Sequence, residues 1–111
     1  EEYQKLIDSI ARIDIAFLGM GEDGHTASLF PDNAALDDER SVVPVHDSPK
    51  APDDRVSLSI KTLHDASHRL VLTAGTAKAE IITRIRQGES LPVNRIGDIN
   101  WFVDIGAVQT A

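Results

Sequence analysis

The sequence predicts an α/β layered fold, Rossmann-like, with a mostly parallel sheet flanked by helices. Three observations carry that expectation. Short apolar runs such as Ile13–Leu18 (IDIAFL) are nearly continuous, as in a parallel strand buried on both faces. Segments of helical spacing alternate with them. A glycine-rich turn, Gly19–His25 (GMGEDGH), follows the first such run directly.

Each element has a local reason. Tyr3, Leu6, Ile7 and Ile10 recur at helical spacing, so residues 2–11 read as the end of an amphipathic helix. A chain that begins inside a helical pattern, without Met, reads as a segment of a longer protein. After the glycine turn, Thr26–Phe30 predicts one or two helical turns, stopped by Pro31. Residues 31–40 are polar and acidic and read as a loop. Val42–His46 is a strand, placed at a sheet edge by Pro44. Ser48–Asp54 carries turn chemistry. Arg55–Ile60 alternates apolar and polar residues, as a strand does. Lys61–Ser67 reads as a short helix and Arg69–Thr73 as a strand. Thr76–Gln87 has helical spacing at Ala79, Ile82 and Ile85, with Gly88 as its stop. Leu91–Ile96 is irregular, and Trp101–Ile105 is a last strand.

Composition narrows the function classes. The 111 residues suit one domain or part of one. Lys and Arg number 11 against 18 Asp and Glu, a net charge of −7, which disfavours nucleic acid and anionic membranes as partners. The absence of cysteine excludes disulfides, thiolate catalysis and cysteine-ligated zinc. No apolar run approaches the roughly 20 residues of a membrane span. A small phosphorylated substrate remains compatible, given a local basic pocket.

Gly19, Gly21 and Gly24 satisfy the dinucleotide-binding G-x-G-x-x-G pattern after a strand. Glu22 and Asp23 count against it, since their charge repels a pyrophosphate. Pro31 cuts short the crossover helix that a dinucleotide fold requires. Asp37, Asp38 and Glu39 precede the next strand instead of ending it. A second reading uses the residues that the first one wastes. Loops at the C-terminal ends of parallel strands are where such sheets place their sites. Glycines permit close approach to a ligand, and their N–H groups can face developing negative charge. An imidazole, with an ordinary pKa of about 6.5, suits proton transfer near neutrality. A neighbouring carboxylate can orient it. Spacing alone leaves open whether His25 and Asp23 do this or are a capping histidine and a turn residue.

The wording of the segment goes further than its spacing. IDIAFLGMGEDGHTASLFP, residues 13–31, closely resembles the signature of the 6-phosphogluconolactonases. Asp54–Ser59 (DRVSLS) resembles their arginine-led strand, and Gly75–Ala79 (GTAKA) their glycine-to-lysine helix start. Leu91-Pro92, then Trp101–Asp104 (WFVD) with Ala107, resembles their closing segment. The resemblance runs in order over nearly the whole chain. It implies that residues 1–111 are the C-terminal part of a single domain, a layered fold of the kind shared by sugar-phosphate isomerases and CoA transferases.

The resemblance also implies the site. His25 takes the acid–base role and Asp23 supports it. Lys78 and Arg55 contact the substrate phosphate, and Gly21 and Gly24 line the substrate. The implied partner is a small phosphorylated sugar lactone, handled by a cytoplasmic, monomeric hydrolase without cofactor or metal. A phosphate near Lys78 is physically sensible, because a cation in a first helical turn otherwise opposes the dipole. Arg55 can offer paired donors to phosphate oxygens.

The related glucosamine-6-phosphate isomerases/deaminases share the Gly–Asp–Gly–His loop but place a Glu just before the proline. Here that position is Phe30, which cannot move a proton and favours the lactonase. The isomerase/deaminase and a non-catalytic sugar-phosphate-binding module stand as alternatives. His46, His64 and His68 lack a metal-site spacing beyond the i, i+4 pair His64/His68, which is weak by itself. Trp101, Phe102 and Val103 read as core, Asp104 as a capping or hydrogen-bonding residue near the sheet end, and Asp37–Glu39 as a solvated loop.

Overall fold

The computed structural model describes residues 1–10 and 12–108. Its centre is a three-stranded parallel sheet in the order β1 (Ile15–Leu18), β4 (His68–Thr73), β5 (Asn100–Val103). Between β1 and β4 in sequence lies an antiparallel pair, β2 (Val42–Val45) with β3 (Arg55–Leu58). The helices are α1 (Glu2–Asp8), α2 (Ile60–Asp65), α3 (Ala79–Arg86) and the short α4 (Ile105–Val108). The expected α/β fold with its mostly parallel sheet is present.

Register fixes what each face of the sheet does. Leu18 lies opposite Val71, and Val71 opposite Trp101. Val71, at the centre, is fully buried. Together with Met20, Ile81, Ile82, Leu91, Val93 and Ala107 it forms one apolar cluster. A second cluster, around Leu29, Phe30, Val43, Val45, Leu63 and Ile96, joins the antiparallel pair and α2 to β1. Truncating a fully buried leucine such as Leu29 or Leu63 to alanine costs about 2–5 kcal/mol. The opposite face of the parallel sheet is bare. Ile15, Phe17, Leu72 and Phe102 are all exposed, Phe17 at 69%. The run Ile13–Leu18 predicts burial on both faces, and among the described residues only one face is covered. Phe102, expected in the core, lies on the uncovered face.

Several expected boundaries move, for local reasons. Thr26–Phe30 is not helical. Ala27 sits at φ 50°, in the left-handed region, which interrupts a right-handed helix. The segment is instead a tight turn in which Leu29 N–H donates to Thr26 O at 2.9 Å. Arg55–Ile60 ends as a strand at Leu58, because Ser59 caps α2, its Oγ accepting from Thr62 N–H at 3.1 Å. The helix expected from Thr76 starts as a 3₁₀ turn, Thr76–Lys78, before α3 proper. Leu91–Ile96 contains a 3₁₀ turn, Pro92–Arg95. Ile105 opens α4 and does not extend β5. The last residue of the helix expected over 2–11 lies outside the described residues.

Candidate active site

The three parallel strands run in one direction, so their C-terminal ends share an edge. The Gly19–His25 loop leaves β1 there, the Ala74–Lys78 segment leaves β4, and Asp104 follows β5. Sequence positions far apart thereby meet where α/β sheets place ligands.

The glycine loop is closed by its own bonds. Gly21 N–H donates to His25 O at 2.9 Å, and Gly24 N–H to Gly21 O at 3.0 Å. Buried Thr26 donates its hydroxyl to Gly19 O at 2.8 Å, latching the far end. Val93 N–H donates to Gly24 O at 3.1 Å and clamps the loop to the 91–93 segment. Gly24 adopts φ 83°, and a Cβ there meets Leu91 Cβ at 2.9 Å, so both conformation and space demand glycine. At Gly21 the demand is spatial. An added Cβ falls 2.0 Å from His25 Cε1 and 2.1 Å from Nδ1, because the imidazole lies over that glycine.

Asp23 fixes the ring from the other side. Its Oδ1 accepts from His25 N–H at 3.0 Å and lies 2.5 Å from His25 Nδ1. An ionised carboxylate only accepts, so Nδ1 carries the proton and Nε2 is left as the basic nitrogen. Partial burial pushes the Asp23 carboxyl up. The His25 backbone N–H and its imidazole together outweigh that and hold it below the ordinary carboxylate value. A carboxyl lowered on folding contributes stability above its unfolded pKa and loses it as pH falls through the lowered native value. Carbon-13 NMR titration of Asp23 is therefore expected to give a midpoint below that of an unperturbed aspartate. A midpoint at or above it contradicts the pairing.

Phe30, 2% exposed, backs the imidazole with ring centroids 4.6 Å apart and tilted 39°. The Arg55 guanidinium lies over the same phenyl ring at 5.1 Å, a cation–π contact. Arg55 is also tied to its own loop, Nε donating to Pro52 O and Nη2 to Lys50 O and Ala51 O. Its Nη1 group has no protein acceptor among the described residues. Ser57 Oγ, two residues on, takes Ser28 N–H at 3.1 Å and ties β3 to the turn after the histidine. Lys78 reaches the site from the β4 side, its Nζ donating to Met20 O within the glycine loop. Thus Asp23, His25, Gly21, Gly24 and Lys78 converge on one loop, and Arg55 borders it through Phe30.

One sequence expectation changes. The Gly21 and Gly24 N–H groups are spent inside the loop, so they do not face a ligand as free donors. His64 lies in α2 and His68 opens β4, so their i, i+4 spacing gives no shared helix face. Residues to which sequence reasoning gave no site role also shape it. Thr26 is the latch and Leu91 packs on Gly24. Asp104, expected to cap or hydrogen-bond near the sheet end, does so and holds the turn before Lys78, its Oδ1 accepting from Gly75 N–H at 3.0 Å. Thr26 gives no signal in sequence, because a threonine after a loop is unexceptional.

An imidazole oriented by a carboxylate at the C-terminal edge of a parallel sheet, with a lysine from the next strand end reaching the same loop, is a constellation equipped for proton transfer beside an anion. The chain belongs to the family of glucosamine-6-phosphate isomerases/6-phosphogluconolactonase, whose model matches residues 1–102. It is 37% identical to the 6-phosphogluconolactonase of Bos taurus, over 98% of this chain and 48% of that protein. The crystal structure of 6-phosphogluconolactonase from Thermotoga maritima superposes with a TM-score of 0.83 at 28% identity, over 92% of this chain and 48% of that one. The enzyme of the same name from Leishmania guyanensis gives 0.72 at 37% identity, over 86% and 40%. A monomeric glucosamine-6-phosphate deaminase, at 23% identity and TM-score 0.78, shares the fold. The chain spans about half the length of the curated relatives it matches.

Proposed function

We propose that this chain is the C-terminal part of a single 6-phosphogluconolactonase domain and carries its acid–base residue. The observation that carries the proposal is the 2.5 Å contact of Asp23 Oδ1 with His25 Nδ1, which leaves Nε2 as the base. The bare apolar face of Ile15, Phe17, Leu72 and Phe102 supports the domain reading, because parallel sheets are covered on both faces. The remainder of the domain packs there and completes the cleft.

The substrate is a phosphorylated sugar lactone, an internal ester. Its phosphate lies between Lys78 and the open edge of the Arg55 guanidinium. Neutral His25 takes a proton at Nε2 from a water as the water oxygen bonds to the ring carbonyl carbon. The carbonyl π pair moves to oxygen, giving a tetrahedral oxyanion. Gly21 and Gly24 N–H are already bonded within the loop, so a nearby cation or another donor stabilises that charge. The oxyanion re-forms the carbonyl and breaks the bond to the ring oxygen, which takes the proton back from imidazolium. Asp23 stabilises the cationic ring between the two transfers. The products are a free carboxylic acid, which ionises, and a hydroxyl. No metal, nucleotide or covalent intermediate enters. The enzyme acts as a cytoplasmic monomer.

The test is lactone hydrolysis by the full-length protein, followed by proton release above the spontaneous rate. Ammonia release from glucosamine 6-phosphate selects the isomerase/deaminase instead; buried Phe30 beside His25, where that chemistry needs a second proton carrier, favours the lactonase. Binding of 6-phosphogluconate without hydrolysis selects the non-catalytic module. Lys78→Ala in the full-length protein is expected to raise KM about ten- to a hundredfold with a smaller change in kcat, as loss of one charged phosphate contact does. An unchanged KM removes Lys78 from the phosphate site.

A further inference from the structure

The three strand-end segments of the parallel sheet are joined in sequence across its edge. Asp104, immediately after β5, accepts from Gly75 N–H at 3.0 Å and from Ala107 N–H at 2.9 Å through the same Oδ1. Gly75, after β4, is held at φ 93° and its carbonyl accepts Lys78 N–H at 3.1 Å. Lys78 in turn reaches the loop after β1 through Met20 O. The helix that Asp104 caps lies hard against this turn. A Cβ on Gly106 meets Thr76 N at 3.3 Å and Gly75 C at 3.5 Å. The Asp104 side chain is exposed and, among the described residues, hydrogen-bonds neither His25 nor the glycine loop, so its reach into the site runs through Gly75.

We propose that Asp104 is a positioning residue for Lys78: its carboxylate, just after β5, pins the Gly75 turn that follows β4 and so aims the ammonium at the glycine loop. The role rests on the reading of Lys78 as a phosphate contact only for its kinetic consequence, not for its geometry. Asp104 serves through an oxygen that accepts two backbone N–H groups, and an amide oxygen at the same place does the same. Asp104→Asn therefore keeps the function, and Asp104→Ala loses it. Asp104→Glu, which keeps the charge but carries the acceptor one methylene further out, also loses it and serves where the alanine variant does not fold.

Two readouts in the full-length protein separate the inference from the reading it builds on. The first is the rate of amine acylation at Lys78, followed by mass spectrometry. Asp104→Ala is expected to raise it several-fold by freeing the ammonium from Met20 O, and Asp104→Asn to leave it unchanged. Unaltered labelling in Asp104→Ala overturns the proposal whatever the kinetics show. The second is lactone kinetics. Asp104→Ala is expected to raise KM roughly tenfold while kcat moves less, and to add nothing in a Lys78→Ala background. Additive effects, or an Asp104→Asn variant as impaired as Asp104→Ala, also overturn it. If labelling responds as expected while Lys78→Ala leaves KM unchanged, the positioning stands and the phosphate role of Lys78 falls.

Discussion

Replacing His25 with alanine in the full-length protein is expected to lower kcat by about 10²–10⁴-fold, the range that general acid–base catalysis supplies, with little change in thermal stability. The ring makes few contacts that the fold needs. Its side chain is 21% exposed, it meets Asp23 Oδ1 and it lies against Phe30. The loop around it is closed by other groups. Thr26 Oγ1 still holds Gly19 O, Gly24 O still accepts from Val93 N–H, and Gly24 N–H still reaches Gly21 O. The loss should therefore appear in turnover and not in melting temperature. His25→Gln separates the two halves of the role: an amide can donate toward Asp23 but cannot carry a proton through the cycle. It should fold like the parent and be as slow as the alanine variant. Normal turnover in either variant assigns the proton transfer elsewhere.

Much of this was legible in the residues. An apolar run followed by GMGEDGH puts a histidine at a strand end, and ordered resemblance downstream brings Lys78 and Arg55 into the same reading. Phe30 was legible as a residue that cannot move protons, and the structure adds that it packs on both His25 and Arg55. What was hidden depended on tertiary partners. Thr26–Phe30 has helix-compatible composition, yet its turn is set by Ala27 in the left-handed region and by the Ser57 Oγ that takes Ser28 N–H. The glycine N–H groups read as free donors until the loop is seen to close on itself. Arg55 reads as a free cation until three carbonyls of its own loop are found around it. Phe17 reads as core because an apolar run at a strand does not say which of its faces these residues cover.

Gly21→Ala is the sharpest test of the site geometry, because it leaves every titratable group in place. The new methyl occupies the space of the imidazole, 2.0 Å from Cε1 and 2.1 Å from Nδ1, and also approaches Asp23 Oδ1 at 3.0 Å. No contact of that length survives, so something shifts. The φ of Gly21 is outside the left-handed region, so alanine suits the backbone there and the ring yields before the loop does. A ring displaced by about 1 Å or more breaks the bond that sets its tautomer and takes Nε2 off the line of attack, a loss on the order of 10²-fold in kcat. Gly19 is the internal control. An added Cβ there meets nothing within 4 Å, so Gly19→Ala should retain turnover. The His25 resonances give a second view: in Gly21→Ala the proton bridging Nδ1 and Asp23 should lose its downfield signal, while Gly19→Ala keeps it. Were Gly21→Ala to hydrolyse the lactone at the parental rate with that signal intact, the imidazole would not lie over Gly21, and the acid–base geometry argued from it would be wrong.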